Sequence, residues 1–548
     1  MESTTSSWRD SARITDGATA VRYRSRGWWN DLTLADHVHR HAMERPNAWA
    51  FTSPHGRLTW AQYDSLSNDL AQVLVRLDLG AEGRVAIRLP DGPSYHLAQL
   101  GCERAGLVAV GLPARAGDRE IAHLLSKTGA KVLISHREHR GALMSELAAK
   151  VASVDFYVRV PEYERHPTEP VLVNGTPEAG GEMIDLDALR LGPDDLWLIN
   201  STSGTTGLPK CVLHHQNRWR YFSELVIENG GLGPEEVIMS IVPTPYGFGQ
   251  WSSHFVPTYL GVNTVLVDRF DTSETLRLME RERVTMLCAV STQFRLLLAD
   301  PLFREIDLSS LRVMFTGGEP VTYAAAQRFE EITGAVILNI YGSNEAGFIS
   351  GTRIDDPQEK RLRSAGRVPQ GTELRLYDEA GQPAGGRRGQ PGARGPSIGY
   401  GYLDDDVANA ELFSEDGFVM QADIVELDDE GYLKVVGRKS DLIIRGGKNI
   451  SAAEVEEETS AHPRVALACA VPIPDEMFGE RVCVFIELSD PQIPFVLKDL
   501  TDFMSERRVS KELWPERLEV LDAIPSSAGG KVAKAELRQR AAEMAASR

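Results

Sequence analysis

A short loop rich in hydroxyl side chains and glycine is the first feature of the sequence that could do chemistry. It reads STSGTTGLPK, residues 201–210, and it follows an apolar stretch, residues 196–199, that is typical of a strand. The backbone N–H groups and hydroxyls of such a loop can converge on phosphate oxygens, and its lysine can neutralise their charge. The same composition is also typical of a surface turn, so the loop alone decides nothing.

The spacing within this loop excludes the commonest phosphate-binding motif. A Walker A loop has four residues between its glycines and a lysine directly after the second glycine. Here two residues separate Gly204 from Gly207, Pro209 precedes Lys210, and Cys211 follows it. If the loop binds phosphate, it does so in another arrangement.

Composition limits the classes of protein and partner. With 548 residues the chain exceeds one ordinary hydrophobic core, so at least two domains are expected. The net charge of −19 disfavours broad binding to nucleic acid or an anionic membrane. The five cysteines form no CxxC pair, and the polar N-terminus has no apolar core of a signal peptide. We expect a cytoplasmic protein that binds neither nucleic acid nor membrane.

Alternating patterns predict the elements that must position the loop. Strand-like runs at residues 85–89 and 131–135 alternate with helical periodicity at 63–77 and 119–127, which is the signature of a mainly parallel sheet. The alternation recurs between residues 265 and 340. The polar residues 1–28 are expected to be a loosely held lead-in. The glycine-rich residues 381–402 are typical either of turn-rich β structure or of a linker, and both interpretations stay open.

The pattern changes again after Gly437. A short basic hairpin, RKSDLIIRGGKNI, precedes a predicted helix at residues 452–461, and the final segment is helical. We therefore predict an α/β protein with a large N-terminal domain, residues 1–438, of doubly wound sheets plus a β-barrel-like subdomain. A small mobile α+β C-terminal domain, residues 439–548, follows it.

Six motifs in order give the chain its strongest resemblance. STSGTTGLPK resembles the phosphate-binding motif of the adenylate-forming superfamily, which includes acyl-CoA synthetases, nonribosomal-peptide adenylation domains and beetle luciferases. Later stretches resemble the other motifs of that family in the expected order. They are PTPYGFG at 243–249, TGGEP at 316–320, NIYGSNEAG at 339–347, the stretch at 421–456 that contains QADIVEL and GRKSDLIIRGGKNI, and PSSAGGKVAKAELR at 525–538.

The resemblance implies two half-reactions in one enzyme of the acyl-CoA synthetase branch. A carboxylate attacks the α-phosphate of ATP and gives an acyl-adenylate and pyrophosphate, and a thiol, normally that of CoA, then displaces AMP. By the resemblance Lys531 would reach the acid and the α-phosphate, Glu345 would bind Mg²⁺, and Tyr246 would stand at the gate for the acid. A carboxylate together with phosphate oxygens is an ordinary Mg²⁺ shell.

The other motif positions would hold the nucleotide and CoA. The resemblance places the β- and γ-phosphates on the hydroxyl-rich loop, the adenine against Tyr341, and the ribose hydroxyls on Asp423 with help from Arg438. Gly446 and Gly447 would admit the narrow pantetheine arm, and the basic side chains beside them, next to a single acid at Asp441, would suit nucleotide phosphates. The full set is Thr202, Ser203, Gly204, Thr205, Thr206, Gly207, Lys210, Gly318, Glu319, Pro320, Tyr341, Gly342, Asn344, Asp423, Arg438, Lys439, Arg445, Gly446, Gly447 and Lys448.

Five positions depart from the family pattern. Asn344 replaces a threonine whose hydroxyl normally meets the α-phosphate, Gln421 and Ala422 replace a threonine and a glycine, Ser440 takes the hinge position, and Tyr246 stands where the gate is usually histidine or another aromatic residue. The first three lie on the ATP side. Two hypotheses therefore stay open: a complete ligase, and a ligase that only transfers a preformed acyl-adenylate to CoA. The charge of Glu319 must also be solvated or paired, because it would otherwise repel an anionic nucleotide.

The sequence near the gate bears on the acid. Residues 238–267 contain no Asp or Glu, which disfavours an α-amino acid as substrate. YGFGQW combines small residues with three aromatic ones, Tyr246, Phe248 and Trp251, so a bulky, mostly apolar, cyclic or aromatic carboxylic acid is favoured. Loading of a carrier protein in trans is an alternative to free CoA, a non-catalytic nucleotide-binding relative is a third interpretation, and homodimer formation is left open.

Overall fold

Two large, mostly parallel sheets form the greater part of the molecule. The computed structural model describes residues 8–139, 141–178, 181–202, 208–319, 321–378, 380–438, 441–446, 448–526 and 532–546. In spatial order the first sheet contains Gly347–Gly351, Val336–Ser343, Val313–Gly317, Met286–Cys288, Val237–Ser240, Asn263–Leu266, Trp49–Ser53 and Gly56–Thr59. The second contains Thr176–Pro177, Leu172–Val173, Phe156–Arg159, Val132–Ser135, Arg84–Arg88, Val108–Gly111, Leu198–Ser201 and Cys211–His214.

In each of the two sheets the central strands pair in parallel and the strands at the edges pair antiparallel. The antiparallel edge pairs include Gly347–Gly351 on Val336–Ser343, and Cys211–His214 on Leu198–Ser201. The central strands are almost fully buried and apolar, as expected where helices cover both faces of a parallel sheet. The predicted α/β class, with a large N-terminal and a small C-terminal part, is confirmed.

Helices connect and cover these strands. The helical elements before residue 440 are Trp8–Ser11, Gly17–Ser25, Leu34–Glu44, Trp60–Val75, Pro93–Arg104, Asp118–Thr128, Met144–Lys150, Gln216–Gly230, Gly247–Gly249, the π-helix Gln250–Phe255, Val256–Leu260, Thr272–Arg281, Ser291–Ala299, the 3₁₀ turn Pro301–Arg304, Tyr323–Thr333, Gln358–Arg363 and Asp406–Leu412. Local sequence explains several starts. Thr59 and Gln62, for example, form a capping box at Trp60–Val75.

Smaller sheets complete the fold. An antiparallel sheet contains Glu373–Tyr377, Arg388–Arg394, Asp423–Leu427 and Leu433–Arg438, with Val419–Met420 beside the second strand. A further sheet contains Lys448–Ser451, Leu442–Arg445, Gly479–Leu488 and Val465–Asp475, with Arg517–Val520 beside the third strand. A two-stranded ribbon joins Glu138–His139 to Ala142–Leu143. The helical elements of the C-terminal part are Ala452–Ser460, Leu497–Glu506, the 3₁₀ turn Lys511–Leu513 and Lys534–Ala546.

The structure decides the conformation of two segments, one that the sequence left open and one that it predicted to be loosely held. The glycine-rich residues 381–402 contain the strand Arg388–Arg394, so the β interpretation holds over the linker. The prediction of a loose lead-in is wrong for residues 8–25, which form two helices. Trp8 is buried and stacks on Tyr400 with ring centroids 6.0 Å apart, and this anchors a segment whose other side chains are mostly polar.

Two further properties of the described residues concern the length and polarity of the helices and the state of the cysteines. None of the helices in this part of the chain is both long and apolar enough to traverse a bilayer. All five cysteines are free and buried. The boundary at 438/439 stays a prediction, although the change of sheet falls between Arg438 and Leu442.

Candidate active site

Asp423 is the centre of a polar cluster at the predicted ribose and adenine position. It lies opposite Arg438 on neighbouring antiparallel strands, and the Arg438 Nε donates to its Oδ1 at 2.9 Å. The Tyr341 hydroxyl donates to the other carboxylate oxygen, Oδ2, also at 2.9 Å. Burial and the negative charge of Asp423 raise the pKa of Tyr341 well above its ordinary value, so the phenol stays a donor. The structure thus brings three predicted residues into one site.

Glu345 lies in a second cluster together with Lys210. The Tyr402 hydroxyl donates to Glu345 Oε1 at 2.7 Å, and the Lys210 ammonium lies 4.9 Å from the centre of the Tyr402 ring. Burial and the neighbouring Glu345 raise the pKa of Tyr402, which keeps this phenol protonated as well. Tyr402 therefore orients the Glu345 carboxylate through its hydroxyl and contacts the Lys210 ammonium through its ring.

The cluster around Glu345 is consistent with one mode of Mg²⁺ binding. Within the described residues no group of three or more His, Cys, Asp or Glu side chains could enclose a metal. Mg²⁺ is commonly held by one or two carboxylates with substrate phosphates and waters completing the shell. A single oriented carboxylate, Glu345, beside a cationic lysine is consistent with that mode.

The base of the phosphate loop is closed by backbone pairing. The Thr202 N–H donates to the Lys210 carbonyl at 3.0 Å, and the Lys210 N–H donates to the Thr202 hydroxyl at 3.3 Å. These bonds hold the two ends of the loop together. Several predicted residues lie outside the described part of the chain, and their roles stay predictions: Ser203, Gly204, Thr205, Thr206, Gly207, Pro320, Lys439, Gly447 and Lys531. The proposed hinge residue Ser440 lies outside it too.

The gate segment begins with a tight turn and continues into a π-helix. Tyr246 precedes Gly247–Gly249, and the π-helix Gln250–Phe255 follows directly. Burial raises the pKa of Tyr246, so its hydroxyl is neutral. A Cβ on Gly249 would lie 2.1 Å from the Pro243 carbonyl, so only glycine fits this close approach. π-Helical turns of this kind frequently occur at functional sites.

The aromatic side chains after the gate divide into two roles. Phe248 is half-buried, whereas Trp251 is 1% exposed and packs edge-on against Phe248 and Phe315. Trp251 is therefore a core residue that packs behind Phe248. Asp91, distant in sequence, accepts a hydrogen bond from the Thr244 N–H at 2.6 Å and so anchors the segment that leads to the gate.

Glu319 is paired, as its charge required. Its Oε2 accepts from the N–H and the hydroxyl of Thr292, at 3.2 and 3.3 Å, at the start of the helix Ser291–Ala299. The positive end of a helix dipole stabilises a carboxylate there. Gly318 beside it has a positive φ of 74°, a conformation that favours glycine. A Cβ on Gly342 would lie 1.8 Å from the Gly347 carbonyl, so the adenine-side turn is also packed tightly.

The C-terminal basic hairpin is present, but its cations have more acidic partners than the sequence suggested. The strands Leu442–Arg445 and Lys448–Ser451 pair around Gly446, which has a φ of 57°. Arg445 forms an ion pair with Glu516, and Lys448 forms one with Glu512. The interpretation of a single acid beside the hairpin is wrong.

The acid that was expected to serve the hairpin has other partners. Asp441 pairs with Lys534 at 3.3 Å and with Arg538 at 2.5 Å. Any phosphate that binds the hairpin must therefore compete with carboxylates for Arg445 and Lys448.

Sequence reasoning missed several polar residues of the site. One is the buried Asn200, whose side chain pairs with the predicted Asn344 and also contacts His214 and the gate. Tyr402 and Thr292 were missed as well. None of these lies in a motif stretch, and their only signal is a polar residue type beside a strand or a glycine-rich turn.

Comparisons with known proteins agree with this geometry. The family model of the AMP-binding enzyme matches residues 38–403, and that of the AMP-binding enzyme C-terminal domain matches residues 454–531. A medium-chain fatty-acid–CoA ligase of Escherichia coli K12 is 29% identical, with 94% of this chain and 92% of that protein covered. A 2-hydroxy-7-methoxy-5-methyl-1-naphthoate–CoA ligase of Streptomyces carzinostaticus is 29% identical, with 96% of each covered.

A solved structure shows the same fold. An anthranilate–CoA ligase in complex with anthranoyl-AMP superposes with a TM-score of 0.84 at 24% identity, over 95% of this chain and 98% of that one. Adenylate-forming enzymes use ATP and yield AMP, and the homologues include AMP-forming CoA ligases. The chain therefore belongs to the AMP-binding enzyme family, within the adenylate-forming superfamily of acyl-CoA and aryl-acid ligases, and is an enzyme of the acid–thiol ligase class.

Proposed function

We propose that this enzyme joins a bulky, mostly apolar, cyclic or aromatic carboxylic acid to CoA through an acyl-adenylate. ATP is converted to AMP and pyrophosphate in the first half-reaction. The observation that carries the proposal is the pre-formed cluster of Tyr341, Asp423 and Arg438. It is what a ribose site needs, and it is intact despite the nearby departures at Gln421 and Ala422.

Asp423 would recognise the ribose of ATP. Each of its carboxylate oxygens already accepts one hydrogen bond and retains capacity for another, so both ribose hydroxyls can donate without displacing Tyr341 or Arg438. Arg438 holds the carboxylate in place through the hydrogen bond from its Nε. The adenine would lie beside Tyr341, whose side chain is 8% exposed and held by its hydroxyl.

The charge of the triphosphate would be met by the phosphate loop and by Lys210. Glu345, oriented by Tyr402, would hold Mg²⁺, which supplies further neutralisation of the phosphate charge when bound. In the first half-reaction a carboxylate oxygen of the acid forms a bond to the α-phosphorus while the bond to pyrophosphate breaks. We assign to Lys531 the donor role toward the acid and the α-phosphate.

In the second half-reaction the thiol of CoA attacks the acyl carbon. The S–C bond forms, the bond to the AMP oxygen breaks, and the thiol proton leaves to solvent. We propose that the C-terminal part, from residue 439, rotates about Ser440 between the two half-reactions, so that the hairpin around Gly446 and Gly447 replaces Lys531 at the acyl group. Arg445, Lys448 and Lys439 would then contact the CoA nucleotide.

The preference for a cyclic or aromatic acid is supported by the gate. Tyr246 and Phe248 are half-buried aromatic residues on either side of Gly247, and residues 238–267 hold no acidic side chain that could bind an α-amine. Asp91, a carboxylate that contacts the segment leading to the gate, is engaged by the Thr244 N–H. The naphthoate and anthranilate ligases among the relatives are named for aromatic acids, whereas the Escherichia coli relative is named for medium-chain fatty acids.

The proposal is tested by giving the purified enzyme ATP, Mg²⁺ and a panel of benzoic, naphthoic, cinnamic, alicyclic and C6–C12 acids, and measuring pyrophosphate release. Acid-dependent release that is strongest with the ring-containing acids is expected. No release with any acid, combined with conversion of a synthetic acyl-adenylate and CoA to the thioester, would instead establish the transfer-only alternative. Acyl transfer to a phosphopantetheinylated carrier protein but not to CoA would establish carrier loading.

A further inference from the structure

A buried network of side chains surrounds Asn200, in the strand that leads into the phosphate loop. Asn200 is 1% exposed, and its Nδ2 donates to the Pro245 carbonyl at 2.9 Å and to Asn344 Oδ1 at 3.2 Å. Its Oδ1 accepts from Asn344 Nδ2 at 2.6 Å and from His214 Nε2 at 2.7 Å. A side-chain amide has two donor hydrogens and two acceptor lone pairs. The hydrogen-bonding capacity of Asn200 is therefore fully used.

The protonation of His214 fixes which way the Asn200 amide points. Arg218, a permanent donor, contributes its Nη1 to His214 Nδ1 at 2.5 Å, so Nδ1 must accept and Nε2 must carry the proton. Burial, with the charge of Arg218, holds the pKa of His214 well below its ordinary value, which keeps the ring neutral. A flipped Asn200 amide would set an N–H against the His214 N–H. The amide has one allowed orientation.

Asn200 and Asn344 consequently form a reciprocal amide pair of defined polarity. This pair connects three parts of the site that are distant in sequence: the strand before the phosphate loop, the gate at Pro245, and the motif that carries Glu345. Arg218 extends the connection, because its Nη2 donates to the Glu345 carbonyl at 3.3 Å and its Nε donates to the Ser397 carbonyl at 2.9 Å.

Gly247 completes the setting of Asn344. A Cβ on Gly247 would lie 2.7 Å from Asn344 Oδ1, so the amide oxygen packs directly against the gate backbone. One Nδ2 hydrogen of Asn344 is used on Asn200. Among the described residues no acceptor is recorded for the other, and Asn344 stands next to Glu345 and at the gate.

We propose that Asn200 is a positioning residue that, with His214 and Arg218, locks the Asn344 amide so that its second N–H donates to the phosphate or carboxylate oxygen of the reacting acid–ATP complex. The amide pair thereby takes the place of the hydroxyl that the family resemblance puts at position 344. This inference rests on the proposed function, because it concerns the adenylation half-reaction. A donor aimed in advance at developing charge lowers the barrier more than it strengthens ground-state binding.

A double-substitution cycle tests this proposal. Asn200→Ala leaves Asn344 without its partner, so kcat for acid-dependent pyrophosphate release should fall by about 30- to 100-fold while the KM for ATP changes less than about threefold. Thioester formation from a synthetic acyl-adenylate should fall by less than about threefold. In an Asn344→Thr background, whose hydroxyl needs no amide partner, adding Asn200→Ala should cost less than about fivefold.

The matched control is Asn217→Ala. Asn217 is equally buried and its amide bonds Asn30 and Asp194, away from the gate. It should lower the unfolding temperature about as much as Asn200→Ala while leaving the ratio of the two half-reactions unchanged. A merely structural role of Asn200 would lower both half-reactions alike.

The outcomes separate the inference from the proposed function. Equal losses from Asn200→Ala in the wild-type and Asn344→Thr backgrounds, or equal losses in both half-reactions, would overturn the inference alone. A wild-type enzyme that converts a synthetic acyl-adenylate but releases no pyrophosphate with ATP and any acid would overturn both.

Discussion

The hydrogen bond from Tyr402 to Glu345 makes a quantitative prediction about metal dependence. The Tyr402→Phe variant keeps the ring beneath Lys210 and removes only the hydroxyl that donates to Glu345 Oε1 at 2.7 Å. A hydrogen bond to a charged group contributes about 1.5–3 kcal/mol. Loss of a group that orients a metal-binding carboxylate typically costs about 10- to 100-fold in metal affinity or activity.

We therefore expect Tyr402→Phe to need roughly 10- to 100-fold more Mg²⁺ for half-maximal pyrophosphate release. At saturating Mg²⁺ the KM for the acid should stay near the wild-type value, because the acid does not contact Tyr402 in this account. The assay is pyrophosphate release against Mg²⁺ concentration at fixed ATP and acid.

Tyr400→Phe is the matched control. Tyr400 is buried two residues earlier, and its hydroxyl donates to the Asp194 carbonyl at 2.7 Å rather than to the site. It should lose stability but keep the wild-type Mg²⁺ requirement. A wild-type Mg²⁺ requirement in Tyr402→Phe, or the same increase in Tyr400→Phe, would refute the assignment of Glu345 as the oriented metal ligand.

Three further predictions concern the nucleotide, the pH dependence and the gate. Asp423→Asn should raise the KM for ATP by about 10- to 100-fold with little change in the KM for the acid. The reason is that a carboxylate able to accept hydrogen bonds from two ribose hydroxyls becomes an amide that is both donor and acceptor. Steady-state kinetics measure both KM values, and an unchanged KM for ATP would contradict the assignment of Asp423 to the ribose. Burial raises the pKa of Asp91 to about 6 from an ordinary 3.8, although the Thr244 N–H opposes the shift. This carboxyl ionises at a lower pH in the unfolded chain than in the folded protein, so it lowers the stability by an amount that grows between about pH 4 and pH 6. The cost reaches up to about 3 kcal/mol above pH 6 and vanishes only well below the ordinary pKa of 3.8, where the group is protonated in both states. The unfolding temperature of Asp91→Asn relative to wild type should accordingly increase between about pH 4.5 and pH 8, and a pH-independent difference would contradict it. Gly247→Ala brings a Cβ to 2.7 Å from Asn344 Oδ1, so kcat/KM for the acid should fall by about tenfold or more, and an unchanged kcat/KM would contradict the close packing of the gate on Asn344.

Much of the fold could be predicted because local patterns and tertiary structure agree. The predicted strand at residues 131–135 and helix at 119–127 correspond to Val132–Ser135 and Asp118–Thr128. The lead-in could not be predicted, because two short polar helices have little periodicity. They are held by contacts distant in sequence, such as the Trp8 ring on Tyr400.

The candidate site was likewise predicted in part from the sequence. Motif spacing identified Asp423, Arg438 and Glu345, but it could not show that the first two face each other across a strand pair. Tyr402 lies 57 residues from Glu345 and Asn200 lies 144 residues from Asn344, so only the folded chain reveals these contacts. The ion-pair partners of the basic hairpin could not be predicted for the same reason, since Glu512 and Glu516 come from a segment distant in sequence.

The most direct test of the central claim is a single reaction followed by mass spectrometry. The enzyme is incubated with ATP, Mg²⁺ and a ring-containing acid, first without and then with CoA. We expect an acyl-adenylate with stoichiometric pyrophosphate in the first stage, and conversion of that adenylate to the acyl-CoA thioester and AMP in the second. Absence of the adenylate and of pyrophosphate with every acid, in an enzyme that still converts a synthetic acyl-adenylate, would contradict this claim.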